Sequence, residues 1–261
     1  MRIVPRPTVT TRNLHSQTKP LCDAHGMTMY REVSTWFFPL PSRPAPEGLA
    51  QTILSPDEVR RADGYCFEDL RTRWIWSRLC LRELLALYTG IPAKLVEIAI
   101  AVNGKPRVVG HDLEFSVSHC KHFVAFAFAY RSLLGIDIEC IDRFISPDMT
   151  RLALTQSEMD EHPERISEPS YVALSWTRKE AVLKAAGDGL SRPPNTFAIG
   201  DYQFRIGSEL SARSVELSAP AGHQACLAMI GALPDVYMMH GRILGIRSAP
   251  TGAQRQLTPA S

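Results

Sequence analysis

Leu54-Ser55-Pro56-Asp57-Glu58 reads as the start of a helix, and Leu154-Thr155-Gln156-Ser157-Glu158 repeats its design one hundred residues later. In the first copy Ser55 is placed as the N-cap and Pro56 at the first helical position. Glu58 at the third position completes a capping box. In the second copy Thr155 caps and Glu158 closes the box. The same offset returns further on. Trp76-Ser77-Arg78 opens the apolar stretch LCLRELLALYTGI, and Trp176-Thr177-Arg178 opens KEAVLKAAGDGL. Each stretch runs into glycine, Gly90 in one copy and Gly187 and Gly189 in the other, as helix C-caps do. Two matches at one offset favour an ancient duplication over coincidence among common helix signals. The expected fold is therefore α+β, a pseudo-twofold pair of similar α+β subdomains. The expected divisions are a disordered N-terminal extension over 1–30, an N-terminal subdomain over 31–134, a C-terminal subdomain over 135–247 that holds a metal site, and a loose tail over 248–261. A site in such an arrangement is favoured between the halves.

The pattern predicts a first strand over 33–40, helices over 56–63 and 68–89, and a strand over 95–102. Gly104-Lys105-Pro106 is a turn. Residues 115–118 are short and extended. FVAFAFAY (123–130) reads as a buried strand, too short for a core helix and rich in aromatics. Strand 135–140 follows, then helices over 148–160 and 169–186. The strands 201–206, 213–218, 225–231 and 236–246 complete the chain.

The 261 residues are 45% apolar and 21% charged, which argues against disorder, collagen and a coiled coil. A formal charge of +2 does not suit a general nucleic-acid binder, which carries a strong basic excess. The longest apolar run, 123–130, is far short of the ~20 residues a membrane span needs. The six cysteines contain no Cys-x-x-Cys pair, so a zinc ribbon or thioredoxin site is not indicated. They read as free thiols in a reducing compartment, with a cytoplasmic location expected. Residues 1–22 carry Arg2, Arg6, Arg12 and Lys19 with no acid before Asp23, and no apolar core of a secretory signal. A transit peptide, a disordered extension and an over-long start stay open.

The sharpest chemical signal is Gly135-Ile136-Asp137-Ile138-Glu139. On a strand Asp137 and Glu139 share a face, about 7 Å apart. Their repulsion is roughly 2 kcal/mol at an effective dielectric near 20. A hard divalent cation with oxygen ligands would relieve it; an exposed strand face, or a nearby arginine, would also account for the pair. A further acid lies in Trp176-Thr177-Arg178-Lys179-Glu180-Ala181-Val182-Leu183-Lys184, where Glu180 and Lys184 share a helix face. Such a pair is commonly a surface ion pair. If Glu180 faces the acidic strand, Lys184 adds a cation suited to a phosphate. In Phe115-Ser116-Val117-Ser118-His119-Cys120, zinc ligation by His119, Cys120 and His122 is disfavoured, because three ligands in four extended residues do not readily converge. Anion contact by Ser118 and His119 is the better functional reading, and a capped turn the plainer one. Lys105 is lifted off the fold by its turn. Arg60, Arg61, Arg71, Arg73 and Arg78 form either a solvated helix face or phosphate contacts.

In this order and spacing the pieces resemble the 4'-phosphopantetheinyl transferases of the longer, monomeric, surfactin-synthetase-activating type. That family's pattern is a Gly-Lys-Pro turn, a Ser-His segment, Gly-Ile-Asp-hydrophobic-Glu, then Trp-x-x-Lys-Glu-x-x-x-Lys and a Gly-x-Gly-Leu tail. Here these read Gly104-Lys105-Pro106, FSVSHC, GIDIE, 176–184 and Gly187-Asp188-Gly189-Leu190. The resemblance runs from about residue 33 to about 232. Cys120 stands where the family often has serine.

The resemblance implies transfer of 4'-phosphopantetheine from coenzyme A to a serine of an apo acyl or peptidyl carrier protein, leaving adenosine 3',5'-bisphosphate. It implies Mg²⁺, or Mn²⁺, held by Asp137, Glu139 and Glu180, with Glu180 as general base, directly or through water. Lys184 is implied as a catalytic phosphate contact. Lys105, Pro106, Ser118, His119 and Arg61, and with looser correspondence Arg60 and Arg73, are implied to bind coenzyme A. It implies a monomer with no nucleic-acid or membrane partner. The rival readings are a Mg²⁺-dependent coenzyme A or nucleotide pyrophosphate hydrolase and a non-catalytic carrier-binding paralogue. The sequence does not name the carrier protein.

Overall fold

The computed structural model describes residues 2–7, 32–187, 192–198, 203–206, 210–231 and 235–244. The first half contains β1 (Arg2–Pro7), β2 (Glu32–Pro39), α1 (Leu49–Ile53), α2 (Pro56–Asp63), α3 (Glu68–Thr89), β3 (Ile98–Ile100), β4 (Pro106–Val108), β5 (Leu113–His119) and β6 (Phe123–Tyr130). The second contains β7 (Leu134–Cys140), α4 (Pro147–Ala153), α5 (Gln156–Glu161), α6 (Pro169–Ala186), β8 (Gln203–Ile206), β9 (Leu210–Leu217), β10 (His223–Ile230) and β11 (Asp235–Leu244). One sheet has the order β1-β11-β2-β6-β5, a second β7-β10-β9-β8, and β3 pairs with β4 in a small ribbon.

The fold is α+β, and the duplication is visible in its topology. The antiparallel run β2-β6-β5 has the strand order of β7-β10-β9. A capped short helix and a long helix intervene in each, α2 and α3 in one and α5 and α6 in the other. Both capping boxes form, with Ser55 and Thr155 each accepting from the backbone N–H three residues on and each glutamate reaching back. Such caps contribute ~1 kcal/mol each. Gly90 and Gly187 end α3 and α6 at φ 72° and 79°, the left-handed conformation that favours glycine.

The two capping glutamates have a second duty. Glu58 is ion-paired with Arg78 and Arg82 of α3, and Glu158 with Lys179 of α6 at 2.5 Å. Lys179 is fully buried and also donates to the Ala153 carbonyl at 2.7 Å. In each half a buried charge pair thus ties the short helix to the long one.

Strand β6 shows how the core is divided. Val124, Phe126 and Phe128 point to the core shared with α3, beside Trp36, Leu81, Leu84 and Phe115. The alternate residues, Ala125, Ala127 and Ala129, face Ile136, Ile138 and Leu227 of the other sheet. The period-two alternation puts large rings under the helix and small side chains where two sheets press together. The other edge of β7, away from its partner β10, is met by side chains. Ser116 Oγ accepts from the Ile136 N–H at 3.1 Å, and Ser118 Oγ from the Ile138 N–H at 3.3 Å.

Three expectations are corrected. Residues 2–7, expected in a disordered extension, form β1 and pair antiparallel with β11. The single helix expected over 148–160 is two, because Leu154 is extended (φ −105°, ψ 142°) and Thr155 opens a fresh capping box. The strand expected over 95–102 spans only Ile98–Ile100, preceded by a short 3₁₀ turn at Ala93–Leu95. Gly189, Leu190 and the expected tail over 248–261 lie outside the described residues.

Candidate active site

The site begins with a glycine. An added Cβ on Gly135 would lie 2.0 Å from the Ala181 carbonyl oxygen and 2.5 Å from the Ala185 nitrogen. Only a residue without a side chain lets β7 lie this close to the backbone of α6. The close approach sets Asp137 and Glu139 of the strand opposite Glu180 and Lys184 of the helix.

Asp137 is 3% exposed. Its Oδ1 accepts from Ser118 Oγ at 2.7 Å and from Lys184 Nζ at 2.7 Å. Its Oδ2 is buried without a hydrogen-bond partner. Glu180, 8% exposed, likewise has a buried Oε1 with no partner. Two orphaned carboxylate oxygens are costly in a low-dielectric interior. Burial first, then the charges of Asp137 and Glu139, raise the Glu180 pKa, against Lys184 and Arg143. Burial and then Asp137 also raise Glu139, whose carboxylate is ion-paired with Arg143. Arg143 in turn lies over the Trp176 ring, 5.1 Å from its centroid.

Three carboxylates gathered at one junction, two of them with a buried oxygen facing no donor, suit a small divalent cation. Arg143 occupies Glu139, and the acids stand more loosely than a closed coordination shell. Among the described residues, the His/Cys/Asp/Glu group whose ligand atoms all fall within 4.8 Å of one another is Cys120, Cys140 and His223.

The remaining residues named from sequence separate into two sets. His119 ends β5 beside the acids. Desolvation, then the charges of Lys184 and Arg73, lower its pKa against the pull of Asp137, although its outer edge is exposed. The Arg73 charge thus reaches His119, while its own guanidinium holds Asp69 at 2.9 Å. Arg61 lies over the Trp74 ring at 5.8 Å, and Arg60 is paired with Asp57 on the exposed face of α2. Neither is brought to the acids. Ser118, expected to touch an anion, is 5% exposed and engaged with Asp137 and β7. Lys105 is not lifted off the fold. It bends back to the Leu134 carbonyl at 3.1 Å and pairs with Glu114 at 3.4 Å. Burial lowers its pKa against Glu114. Pro106 opens β4, and Gly187 packs against the Asn103 side chain of the same turn.

A depression of about 370 Å³ lined by Arg107, His111, Asp112, Glu114 and Arg131 contains none of the three acids. Arg143 and Ser116 were not singled out from sequence. The alternation Ser116-x-Ser118 was the available signal for the serine; nothing local marks Arg143.

Comparison with known proteins gives the same picture from another direction. A family model described as the 4'-phosphopantetheinyl transferase superfamily matches residues 133–222, and one described as the N-terminal region of 4'-phosphopantetheinyl transferase matches 41–131. The chain is 32% identical over 178 residues to the 4'-phosphopantetheinyl transferase HetI of Nostoc sp., covering 62% of this chain and 71% of that one. It is 28% identical over 189 residues to a 4'-phosphopantetheinyl transferase of Bacillus subtilis, covering 69% and 77%. It is 21% identical over 178 residues to Sfp of the same species, covering 67% and 75%. With one family model on each half and a relative of this identity and coverage, the chain belongs to the 4'-phosphopantetheinyl transferase superfamily.

Proposed function

We propose that the chain transfers 4'-phosphopantetheine from coenzyme A to a serine of an apo acyl or peptidyl carrier protein. The carrying observation is the junction of β7 and α6. There Asp137 and Glu180, each with one orphaned oxygen, gather with Glu139, and Lys184 and His119 stand beside them. The serine oxygen attacks the phosphorus that bears the pantetheine. The new bond is serine O–P, and the P–O bond to adenosine 3',5'-bisphosphate breaks. Glu180 takes the serine proton, directly or through one water. Its place beside Asp137 and Lys184 on the α6 face puts it within the same cluster as the phosphate contacts.

Asp137, Glu139 and Glu180 would hold Mg²⁺. When bound, it would neutralise diphosphate charge that would otherwise repel the incoming oxygen. Lys184, kept in place by Asp137, offers its remaining donor capacity to a phosphate oxygen. Arg73 and His119 line the approach to the same acids and serve the phosphate end of the donor. Lys105 and Ser118 act through what they hold, the start of β7 and Asp137. Positioning and electrostatics carry most of the catalysis in phosphoryl-type transfers. Among the described residues no helix is long and apolar enough to cross a membrane.

Intact-mass analysis tests the reading. Several apo carrier proteins are incubated with coenzyme A, Mg²⁺ and the enzyme. Addition of one phosphopantetheine to at least one carrier is expected. Coenzyme A cleavage with every carrier unmodified would replace this reading with hydrolysis.

A further inference from the structure

Beyond the acids, the ends of three chain segments converge on sulfur and imidazole. Cys120 follows β5, Cys140 ends β7 and His223 opens β10, directly opposite Cys140 in the β7–β10 register. Their ligand atoms lie within 4.8 Å of one another. A fourth group adjoins Cys140, outside that trio: His122 Nδ1 is 3.8 Å from Cys140 Sγ. In a tetrahedral zinc site, bond lengths of about 2.3 Å to sulfur and about 2.0 Å to nitrogen put such ligand atoms about 3.6 Å apart.

The tautomer of His223 is fixed. Its Nδ1 is 2.9 Å from the Ala221 carbonyl oxygen, which only accepts, so Nδ1 carries the proton. Nε2 is then a bare lone pair, and it is buried with no hydrogen-bond partner. An imidazole oriented by a backbone carbonyl, with its other nitrogen empty, is the usual second shell of a metal-bound histidine. The Phe123 ring, 4.9 Å from the His223 ring, further restrains it.

The geometry points to a zinc site made by Cys120, His122, Cys140 and His223, with thiolate and imidazole ligands that favour Zn²⁺ over the hard cations suited to the acids. The sequence had set zinc aside for His119, Cys120 and His122. The fold leaves His119 on the acid side and supplies Cys140 and His223 instead. Burial pushes the Cys120 thiol up to about 11, so without a cation it stays protonated; a metal ion would ionise it. The site would clamp the β5–β6 turn to the ends of β7 and β10, where the facing edges of β5 and β7 meet through serine hydroxyls. It would also steady one of the acids and a residue beside them, since Glu139 precedes Cys140 and His119 precedes Cys120.

The test needs no transfer assay. The full chain, purified without chelator, is analysed for metal, and the metal-free protein is titrated with Co²⁺. About one zinc per chain is expected. So is a one-to-one cobalt complex with sulfur-to-cobalt charge-transfer absorption and the visible bands of a tetrahedral ion. The acid cluster holds no sulfur, so this signature separates the two sites. Cys120→Ser with Cys140→Ser, and His223→Ala separately, should abolish it, and Asp137→Ala should retain it. A cobalt spectrum of the unaltered chain without sulfur charge transfer would overturn the site, as would zinc content unchanged in the double serine variant. A Cys120–Cys140 disulfide whose reduction yields no zinc binding would do the same.

Discussion

Lys184 and Asp137, 47 residues apart in sequence, meet at 2.7 Å across the junction of α6 and β7. The same Asp137 oxygen accepts from Ser118, so one oxygen is doubly held and the other faces no donor. Each donor that fixes Asp137 comes from a different element, and the carboxylate is oriented before any substrate arrives.

Ser118→Ala removes one of those donors and also strips the Ile138 N–H of its acceptor. Loss of a group that orients a metal ligand typically costs 10–100-fold. The Mg²⁺ concentration for half-maximal transfer should rise by roughly that factor. Unfolding free energy should fall by about 1–3 kcal/mol for the orphaned N–H. Mg²⁺ titration of the transfer rate and denaturant unfolding measure the two effects.

Gly135→Ala places a methyl group against the backbone of α6, at 2.0 Å from Ala181 O. Neither partner is a flexible side-chain tip, so the helix must move. A loss of about 1–3 kcal/mol or more is expected, together with a drop in transfer larger than in Gly64→Ala, where φ is −78° and an added Cβ meets nothing nearer than 3.5 Å. Comparing melting temperature and turnover in the two variants checks this.

Glu180→Gln removes a charge that burial, Asp137 and Glu139 disfavour. Because the folded-state pKa is raised, the ionised carboxylate costs stability above that pKa, and the cost is relieved as pH falls through it. In chelator near neutral pH the variant should therefore melt higher than the unaltered chain, while transfer is lost. Added Mg²⁺ should stabilise the unaltered chain more than the variant. Thermal unfolding with and without Mg²⁺ reads the difference.

Glu58→Gln acts with the opposite sign. Burial works against this carboxylate, but Arg78, the Ser55 N–H and Arg82 outweigh it and lower its pKa. A lowered carboxylate contributes stability above its ordinary value of 4.5 that is lost as pH falls through the folded-state pKa. Breaking a buried pair costs about 3–5 kcal/mol. The variant should be less stable at neutral pH, and the gap should narrow in acid. Denaturant midpoints across that pH range measure it.

What could be read from the sequence was local or strictly periodic. Both capping boxes, the glycine caps at Gly90 and Gly187 and the alternation in β6 depend on neighbours within a few residues, and the structure carries them. The break between α4 and α5 was written in Thr155, but the helical pattern on either side hid it. Site residues divided along the same line. Asp137, Glu180 and Lys184 were set by strand and helix period. Arg60 could not be told from Arg73, because the phase of a helix face does not say which face meets the other half. Ser118 was legible as polar but not as the holder of Asp137. Arg143 and the trio Cys120, Cys140 and His223 depend on where three separate segments end, which no spacing records.

The proposed transfer rests on the carboxylate oriented by Ser118 and Lys184. Single-turnover conversion of an apo carrier by Asp137→Ala, followed by intact mass with coenzyme A and Mg²⁺, tests it most directly. No phosphopantetheinylated product is expected from a variant that still unfolds cooperatively. Product formed at the rate of the unaltered enzyme would contradict it.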